Sequence, residues 1–309
     1  MKIAMMGSGG VGGFFGGRLA NAGYDVSFVA RGAHLAAMRE RGLTIESEPR
    51  GDIHLPKVRV TDDPAALGRA DIVILSVKLW DTEAAAKRIR PLVGPDTGVL
   101  SLQNGVVKDD ILRRELGEAA VMGGVGYVAT TISRPGVIHQ TGTMQRIILG
   151  EYDGRKSARA TFLHEALVRA GVDAELSGDV RKAIWEKYVF LVGLSATTTV
   201  MRMPIGPIRE NPQTRAFFLE LMRETVAVGR AHGVALPEDY AESRLAFADG
   251  LPADMTSSMH NDLERGNRLE VEWLSGGVVQ LGQAAGVPTP ANRAVCDILA
   301  LHAPGRKPA

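Results

Sequence analysis

The chain opens on Lys2-Ile3-Ala4-Met5-Met6-Gly7-Ser8-Gly9-Gly10-Val11-Gly12, an apolar run that leads straight into a glycine-rich segment. The spacing Gly-x-Gly-x-x-Gly between a strand and a helix is typical of a dinucleotide-binding βαβ unit. A second apolar strand follows at Asp25–Ala30, where such a unit needs it. The segment Gly7–Gly12, called the glycine loop below, is therefore predicted to bind a pyrophosphate. An ordinary tight turn between strand and helix is the alternative.

The three glycines of the motif have separate physical roles. Gly7 permits the tight turn, Gly9 lets the pyrophosphate approach the backbone, and Gly12 lets the helix pack closely on the strand. The free N–H groups and the dipole of the helix that follows would then face the phosphates.

The residue at the end of the second strand bears on the choice of cofactor. NAD-specific sites place an acidic side chain there, which accepts hydrogen bonds from the adenosine ribose hydroxyls. This chain has Arg31 instead, and no acidic residue follows until Glu40. An arginine can meet a 2′-phosphate with two charge-assisted hydrogen bonds. The sequence therefore favours NADPH, with a solvated surface arginine as the alternative.

Composition narrows the class of protein. The 309 residues are enough for two domains with separate cores. Lys and Arg number 36 against 35 Asp and Glu, and this near-zero net charge does not attract nucleic acid or an anionic membrane. The single cysteine, Cys296, cannot form an internal disulfide, which suits a reducing compartment. We expect a cytoplasmic protein with a small-molecule partner and no metal site. The oligomeric state is left open, with a homodimer as one alternative.

The pattern of elements predicts an α/β fold. Strand and helix signals alternate to about residue 150, and Ala70–Val77 is apolar enough to be a strand buried on both faces of a parallel sheet. From Gly178 onward the pattern is helical only, punctuated by prolines. We therefore predict a Rossmann-like NADP-binding domain over residues 1–177 and an all-helical substrate and catalytic domain over residues 178–309. Without a flexible linker, the two are expected to share a cleft.

Two antiparallel strand pairs are also expected in the first half. The first would join residues 43–46 to residues 58–61 as a hairpin. The second would join residues 136–140 to residues 145–150 around Thr141-Gly142-Thr143.

Polar residues follow the predicted strands at the sheet edge that binds ligands in open α/β folds. Lys78 comes directly after the strand 71–77, and Asn104 comes shortly after the strand 98–102. Together with Arg31 they are candidates to face the cofactor. Each of them could also be a loop residue without such a role.

Lys187 is the strongest single catalytic candidate. It opens an apolar stretch whose next charged residue is Arg202, and a helix that is apolar on all faces is buried. A lysine at the margin of such a helix is a candidate proton donor. Alternatively, its ammonium group extends to solvent.

A second group of polar residues lies in the C-terminal third. Ser257 and Ser258 could hold a small anionic substrate through their hydroxyls, and Glu270 could pair with a buried lysine. Solvated positions on helix surfaces are the alternative for all three.

These residues together resemble the ketopantoate reductase (2-dehydropantoate 2-reductase) family over nearly the whole chain. The matching segments, in order, are the glycine loop, Arg31, Ser76-Val77-Lys78, Gln103-Asn104-Gly105-Val106, Trp185-x-Lys187, Ser257-Ser258-Met259-x-x-Asp262, Glu270 and Gly286-Val287-Pro288-Thr289-Pro290.

The resemblance implies a Rossmann-like domain followed by a helical domain, NADPH as cofactor, and reduction of a 2-keto acid to a 2-hydroxy acid. The default reaction would be that of pantothenate biosynthesis, ketopantoate to pantoate. Lys187 would be the general acid, and Asn104, Ser258 and Glu270 would help to hold substrate and cofactor. Arg31, with Lys78, would meet the adenosine 2′-phosphate.

The chain departs from the family pattern in the substrate pocket. Well-known members carry asparagines four and eight residues after the catalytic lysine, where this chain has Leu191 and Ser195, on the same helix face as Lys187. A third family asparagine is replaced by Met255. The pocket should therefore be less polar than one built for ketopantoate, and an apolar substituent should gain relative to a hydroxyl.

Three hypotheses follow from these residues. The first is an NADPH-dependent ketopantoate reductase, and the second is a relative that reduces a more apolar 2-keto acid or an imine. The third is a non-catalytic NADP-sensing protein, against which the retention of Lys187 and Glu270 argues.

Overall fold

The computed structural model describes residues 1–306. The strands are β1 Lys2–Met6, β2 Asp25–Val29, β3 Leu43–Glu46, β4 Ile53–Leu55, β5 Arg59–Thr61, β6 Ile72–Leu75, β7 Gly98–Ser101, β8 Val121–Arg134, β9 Val137–Gly150 and β10 Asp173–Leu176. The α-helices are α1 Gly10–Asn21, α2 Gly32–Arg41, α3 Thr82–Ile89, α4 Lys108–Leu116, α5 Ala158–Arg169, α6 Val180–Met201, α7 Ile205–Glu210, α8 Pro212–Ala231, α9 Tyr240–Asp249, α10 Ser258–Arg265, α11 Ser275–Ala285 and α12 Pro290–Leu299.

The chain forms two compact units. The first comprises Met1–Gln103 and Lys108–Ala183, and the second comprises Asn104–Val107 together with the chain from Ile184 onward. The strands all belong to the first unit, and no strand follows β10 within residues 1–306. The predicted fold class, a Rossmann-like domain followed by an all-helical domain, is confirmed. None of the helices in this described part has both the length and the apolar character needed to span a bilayer.

The sheet of the first unit has the strand order β4-β3-β9-β8-β7-β6-β1-β2-β5, and β10 also pairs with β9. Strands β5, β2, β1, β6 and β7 are parallel to their neighbours. Met6 lies in register with Val29 and with Leu75, and Leu75 lies in register with Ser101. The carboxyl ends of four strands therefore meet at one edge, where open α/β sheets bind their ligands.

Alternation along β1 explains the two cores of this unit. Ile3 and Met5 lie in one apolar cluster, whereas Ala4 and Met6 lie in another, because successive side chains of a strand point to opposite faces. Helix α1 packs closely on the first face: a Cβ at Gly16 would lie 2.7 Å from Met5. Glycine in α1 thus lets the helix pack closely on β1.

Both expected hairpins were wrong in their pairing. Residues 43–46 pair antiparallel with β4, whereas β5 pairs in parallel with β2. Residues 137–150 form one strand, which runs antiparallel to β8 with a register shift near Val128. The turn lies instead at Pro135-Gly136, where Gly136 has a φ of 83° that favours glycine. Turn residues at Thr141-Gly142-Thr143 therefore fall inside an irregular strand.

The second unit is built from helices around one apolar cluster that includes Trp185, Tyr188 and Phe218. The sequence missed the short helix α7. The proline-punctuated pattern also predicts a helix over residues 253–264, and this predicted helix starts too early. Backbone N–H groups of Ile205 and Gly206 donate to the carbonyls of Met255 and Ala253, at 2.9 Å each. These bonds keep residues 253–255 out of α10, which begins only at Ser258.

Candidate active site

The glycine loop has the geometry that close packing requires. Gly7 has a φ of 94°, and its carbonyl accepts a 2.6 Å hydrogen bond from the Ser76 hydroxyl. A Cβ at Gly12 would lie 2.0 Å from that carbonyl oxygen and 2.2 Å from Ser76 Oγ, so only glycine fits there. A Cβ at Gly9, in contrast, would meet no atom within 4 Å. Gly9 therefore presents bare backbone to open space.

The start of α1 is suited to an anion. Gly9 is the N-cap and brings no side chain to the helix end, and the first turn contains no acidic residue. The first N–H groups of a helix lack intrahelical partners. Gly10, Val11 and Gly12 supply these groups here. The glycine loop thus fits the pyrophosphate of a dinucleotide, which would be held by backbone donors.

Ser8 anchors the loop to β2. Its backbone N–H and its hydroxyl both donate to the Val29 carbonyl, at 3.1 and 3.0 Å, and its side chain is buried. These two donors are therefore engaged within the protein.

His34 holds the same loop from the other side, and the sequence interpretation did not assign it a role. The Gly136 N–H donates to His34 Nδ1 at 3.0 Å, so Nε2 carries the hydrogen and donates to the Ser8 carbonyl at 2.9 Å. This arrangement requires the neutral imidazole. Burial lowers the pKa of His34, and its hydrogen bond to Ser8 opposes that shift only in part.

The residues predicted to meet a 2′-phosphate, Arg31 and Lys78, follow β2 and β6 at the edge where the carboxyl ends of the parallel strands lie. The Arg31 side chain is 85% exposed, and its Nη2 lies 3.1 Å from Asp81 Oδ2. The Asp81 N–H donates to the Lys78 carbonyl at 2.9 Å, and Lys78 Nζ lies 5.7 Å from the centre of the Trp80 ring. The sequence interpretation missed Asp81, because nothing local links it to Arg31, 50 residues earlier.

Lys187 and Asn104 meet in the second unit. Lys187 is half-buried on α6, and its Nζ donates to Asn104 Oδ1 at 2.8 Å. Asn104 belongs to the short segment Asn104–Val107 that packs with the helices. The amide oxygen thus fixes the ammonium group without neutralising its charge.

Leu191 and Ser195, two positions where this chain departs from the family pattern described above, lie on the same face of α6 as Lys187. Leu191 is half-buried, and Ser195 is fully buried with no hydrogen-bond partner for its hydroxyl. These residues lie one and two turns beyond Lys187. Met255 is also half-buried, and its backbone carbonyl is engaged by α7.

Glu270 and the serine pair lie in the same unit. Glu270 is 8% exposed and begins the turn that leads into α11. That turn packs on α6, since the Tyr188 hydroxyl donates to the carbonyls of Trp273 and Leu274 at 3.1 and 2.6 Å. The turn after Glu270 therefore contacts the residue that follows Lys187 in sequence.

The serine pair marks the start of α10. Ser257 is buried and caps this helix by accepting from the His260 N–H at 3.0 Å. Its hydroxyl also lies 2.9 Å from Thr198 Oγ1 on α6. Ser258 is exposed at the first helical position. Of the two hydroxyls, Ser257 is thus used in the fold and Ser258 faces solvent.

A glycine loop on a parallel sheet and a lysine–asparagine pair in a helical unit define the class of protein, a dinucleotide-binding oxidoreductase. Comparison with known protein families identifies the family of this chain. The model of the family described as "Ketopantoate reductase PanE/ApbA" matches residues 3–154, and that of its C-terminal domain matches residues 179–303. The chain therefore belongs to the ketopantoate reductase family.

Individual relatives agree with this assignment. A 2-dehydropantoate 2-reductase from Mesorhizobium japonicum is 32% identical over 97% of each chain. Another from Archaeoglobus fulgidus is 33% identical over 96% of each. The crystal structure of a PanE/ApbA family ketopantoate reductase from Ralstonia eutropha matches with a TM-score of 0.88 and 36% identity, covering 98% of both chains.

Proposed function

We propose that this protein reduces a 2-keto acid to the 2-hydroxy acid with NADPH. Ketopantoate is the default substrate, against which other 2-keto acids are compared. The observation that carries the proposal is the bond from Lys187 Nζ to Asn104 Oδ1. This bond holds a charged proton donor in a defined position. If ketopantoate is the physiological substrate, the protein acts in pantothenate biosynthesis, and a cytoplasmic location follows from that role.

The lysine performs the acid half of the reaction. When bound, the dinucleotide supplies the hydride that adds to the carbonyl carbon. The Lys187 ammonium stabilises the negative charge that develops on the carbonyl oxygen and transfers a proton to it. Asn104 keeps Nζ oriented during this transfer because its amide oxygen accepts one of the three N–H groups. The neutral amine then regains a proton from solvent.

The remaining assignments complete the site. The glycine loop holds the pyrophosphate, and Arg31 and Lys78 meet the adenosine 2′-phosphate. Ser258 donates to the substrate carboxylate. Glu270 is a buried carboxylate whose proposed role is to balance the charge of the half-buried Lys187.

The pocket favours a second candidate substrate class, a 2-keto acid with a plain alkyl or aryl substituent. Leu191 shares the face of α6 that carries Lys187, and both Leu191 and Met255 contact the apolar cluster of the unit. Leaving a buried substrate hydroxyl unpaired costs about 1–3 kcal/mol. Ketopantoate carries such a hydroxyl and should therefore be disfavoured by roughly tenfold or more.

A panel of 2-keto acids tests both proposals, with ketopantoate included and NADPH consumption as the readout. We expect turnover of 2-keto acids, with apolar members ahead of ketopantoate in kcat/KM. The variant Leu191→Asn, with Met255→Asn as a second, should shift the ratio toward ketopantoate. If correctly folded protein fails to oxidise NADPH with every 2-keto acid of the panel, the proposed reaction is wrong. If the unmodified protein prefers ketopantoate, only the apolar-pocket proposal is wrong.

A further inference from the structure

The cofactor site contains a carboxylate beside the arginine that would bind the 2′-phosphate. Arg31 Nη2 and Asp81 Oδ2 are 3.1 Å apart. Dinucleotide sites that prefer NAD place an acid at the end of the second strand, where it accepts hydrogen bonds from the ribose hydroxyls. Here Arg31 follows the second strand, which ends at Val29, and the segment after β6 brings a carboxylate to the arginine's guanidinium group.

The carboxylate is held more firmly than the arginine. The Asp81 side chain is 30% exposed, whereas that of Arg31 is 85% exposed. The Asp81 N–H donates to the Lys78 carbonyl at 2.9 Å. The next residue, Thr82, is fully buried, and its hydroxyl donates to the Leu79 carbonyl and accepts from Gln103 Nε2. A ligand that attracts Arg31 can therefore move the guanidinium group, but the carboxylate stays in place.

The two dinucleotides interact with this pair in opposite ways. A 2′-phosphate carries roughly −1.5 to −2 charge at neutral pH and is repelled by a neighbouring carboxylate. A pair of unit charges about 4 Å apart in water corresponds to roughly fivefold in an equilibrium constant. A ribose hydroxyl, in contrast, can donate to the same carboxylate. The pair thus combines one group that favours NADPH with one that favours NADH.

We infer that Asp81 is a specificity-determining residue that lowers the preference for NADPH and lets the protein use both dinucleotides. The inference rests on the proposed role of Arg31 in cofactor binding. The ion pair is not required by the fold, because exposed pairs of this kind contribute little to stability.

The test is Asp81→Asn, with Asp81→Ala as a second variant and Asp153→Asn as the matched control. Asp153 also pairs with an exposed arginine of the first unit, Arg155, at 3.4 Å. It follows β9, whose last residue pairs with the start of β8 at the opposite edge of the sheet. Dissociation constants for NADPH, NADH, 2′-AMP and AMP are measured by fluorescence or calorimetry, and thermal unfolding is recorded for each variant.

We expect Asp81→Asn to tighten NADPH and 2′-AMP binding by at least about fivefold, and not to tighten NADH or AMP. The gain should shrink at high salt, because the interaction is between partly exposed charges. The inference would be overturned by equal changes for both dinucleotides or by no change for either. The same gain in Asp153→Asn would also overturn it.

The failure of the inference is separable from that of the proposed function. If Arg31→Ala weakens NADPH binding while Asp81→Asn changes nothing, Asp81 has no role in specificity and the NADPH site stands. If Arg31→Ala leaves NADPH binding intact, the proposed 2′-phosphate site is wrong and the inference fails with it.

Discussion

At the scale of single residues, the site combines groups that the sequence identifies with groups that only folding brings in. Lys187 stands out in sequence because it borders a long uncharged stretch, and Arg31 stands out because it follows a predicted strand. His34 and Asp81 carry no such mark. Their partners, Ser8 and Arg31, lie 26 and 50 residues away, and single-sequence patterns report only on near neighbours along the chain.

Lys187→Ala should lower turnover by at least about 10²-fold, because it removes the proton donor and the charge that stabilises the developing alkoxide. The fold and the affinity for NADPH should be largely kept. Asn104→Ala should lower turnover less, since it loosens the ammonium without removing it. Steady-state kinetics and NADPH titration check this. Normal turnover of the Lys187→Ala variant would mean that the lysine has no chemical role.

Arg31→Ala should weaken NADPH binding by more than tenfold while barely changing NADH binding. Loss of one charge-assisted phosphate contact costs about 1.5–3 kcal/mol. NADH has no phosphate at that position and loses nothing comparable. Titration of each dinucleotide against the variant provides the measurement, and an equal loss for both would count against the 2′-phosphate assignment.

His34 should make the stability of the first unit depend on pH. Its pKa lies below the ordinary value of 6.5, so the unfolded chain binds more protons than the folded one just below that pH. The contribution of His34 to stability is therefore complete above pH 6.5 and is lost as the pH falls through the folded pKa. Protonated His34 can no longer accept from the Gly136 N–H.

His34→Gln is the control for this prediction, because glutamine can donate and accept but does not titrate in this range. Unfolding free energies and NADPH affinities are compared between about pH 7.5 and about pH 5. The unmodified protein should lose stability and affinity more steeply than the glutamine variant. Parallel pH profiles would show that His34 does not control the loop.

At the scale of elements, the spacing of hydrophobic residues indicates where most strands and helices form. Strand pairing and helix ends depend on contacts between residues distant in sequence. The buried run at β6 and the helical second half followed from local pattern. The start of α10 did not, since it is set by backbone bonds from α7. The parallel pairing of β5 with β2 did not follow from local pattern either, because which strands pair depends on contacts across the whole sheet.

The N-terminus of α12 provides a stability prediction at this scale. Glu224 on α8 is 8% exposed and accepts from the Ala291 N–H at 2.7 Å and the Asn292 N–H at 2.9 Å. Glu224→Ala leaves these buried donors unpaired and should lower the free energy of unfolding by about 3 kcal/mol or more. Glu220→Ala, an exposed position on the same helix, should change it by less than about 0.5 kcal/mol. Denaturant unfolding of the two variants checks this. Similar losses in the free energy of unfolding would show that Glu224 does not stabilise the N-terminus of α12.

At the scale of the whole molecule, the two units divide the chain unevenly. The first half of the sequence contributes Asn104–Val107 to the helical unit, and α6 begins in one unit and continues in the other. Family membership covers both parts, with matches at residues 3–154 and 179–303. The reaction class thus follows from the family, whereas the preference for one 2-keto acid over another is proposed to depend on a few side chains such as Leu191.

The placement of Asn104 bears on how this chain would tolerate exchange of its C-terminal half. A genetic exchange that replaced only the C-terminal half would transfer Lys187 but leave its amide partner with the resident N-terminal half. The two residues of the pair would then come from different parents. Such a chimera must keep compatible surfaces around Asn104–Val107, or its lysine is misaligned. The lysine and the asparagine are therefore expected to be inherited as one unit, although 83 positions separate them in the gene product.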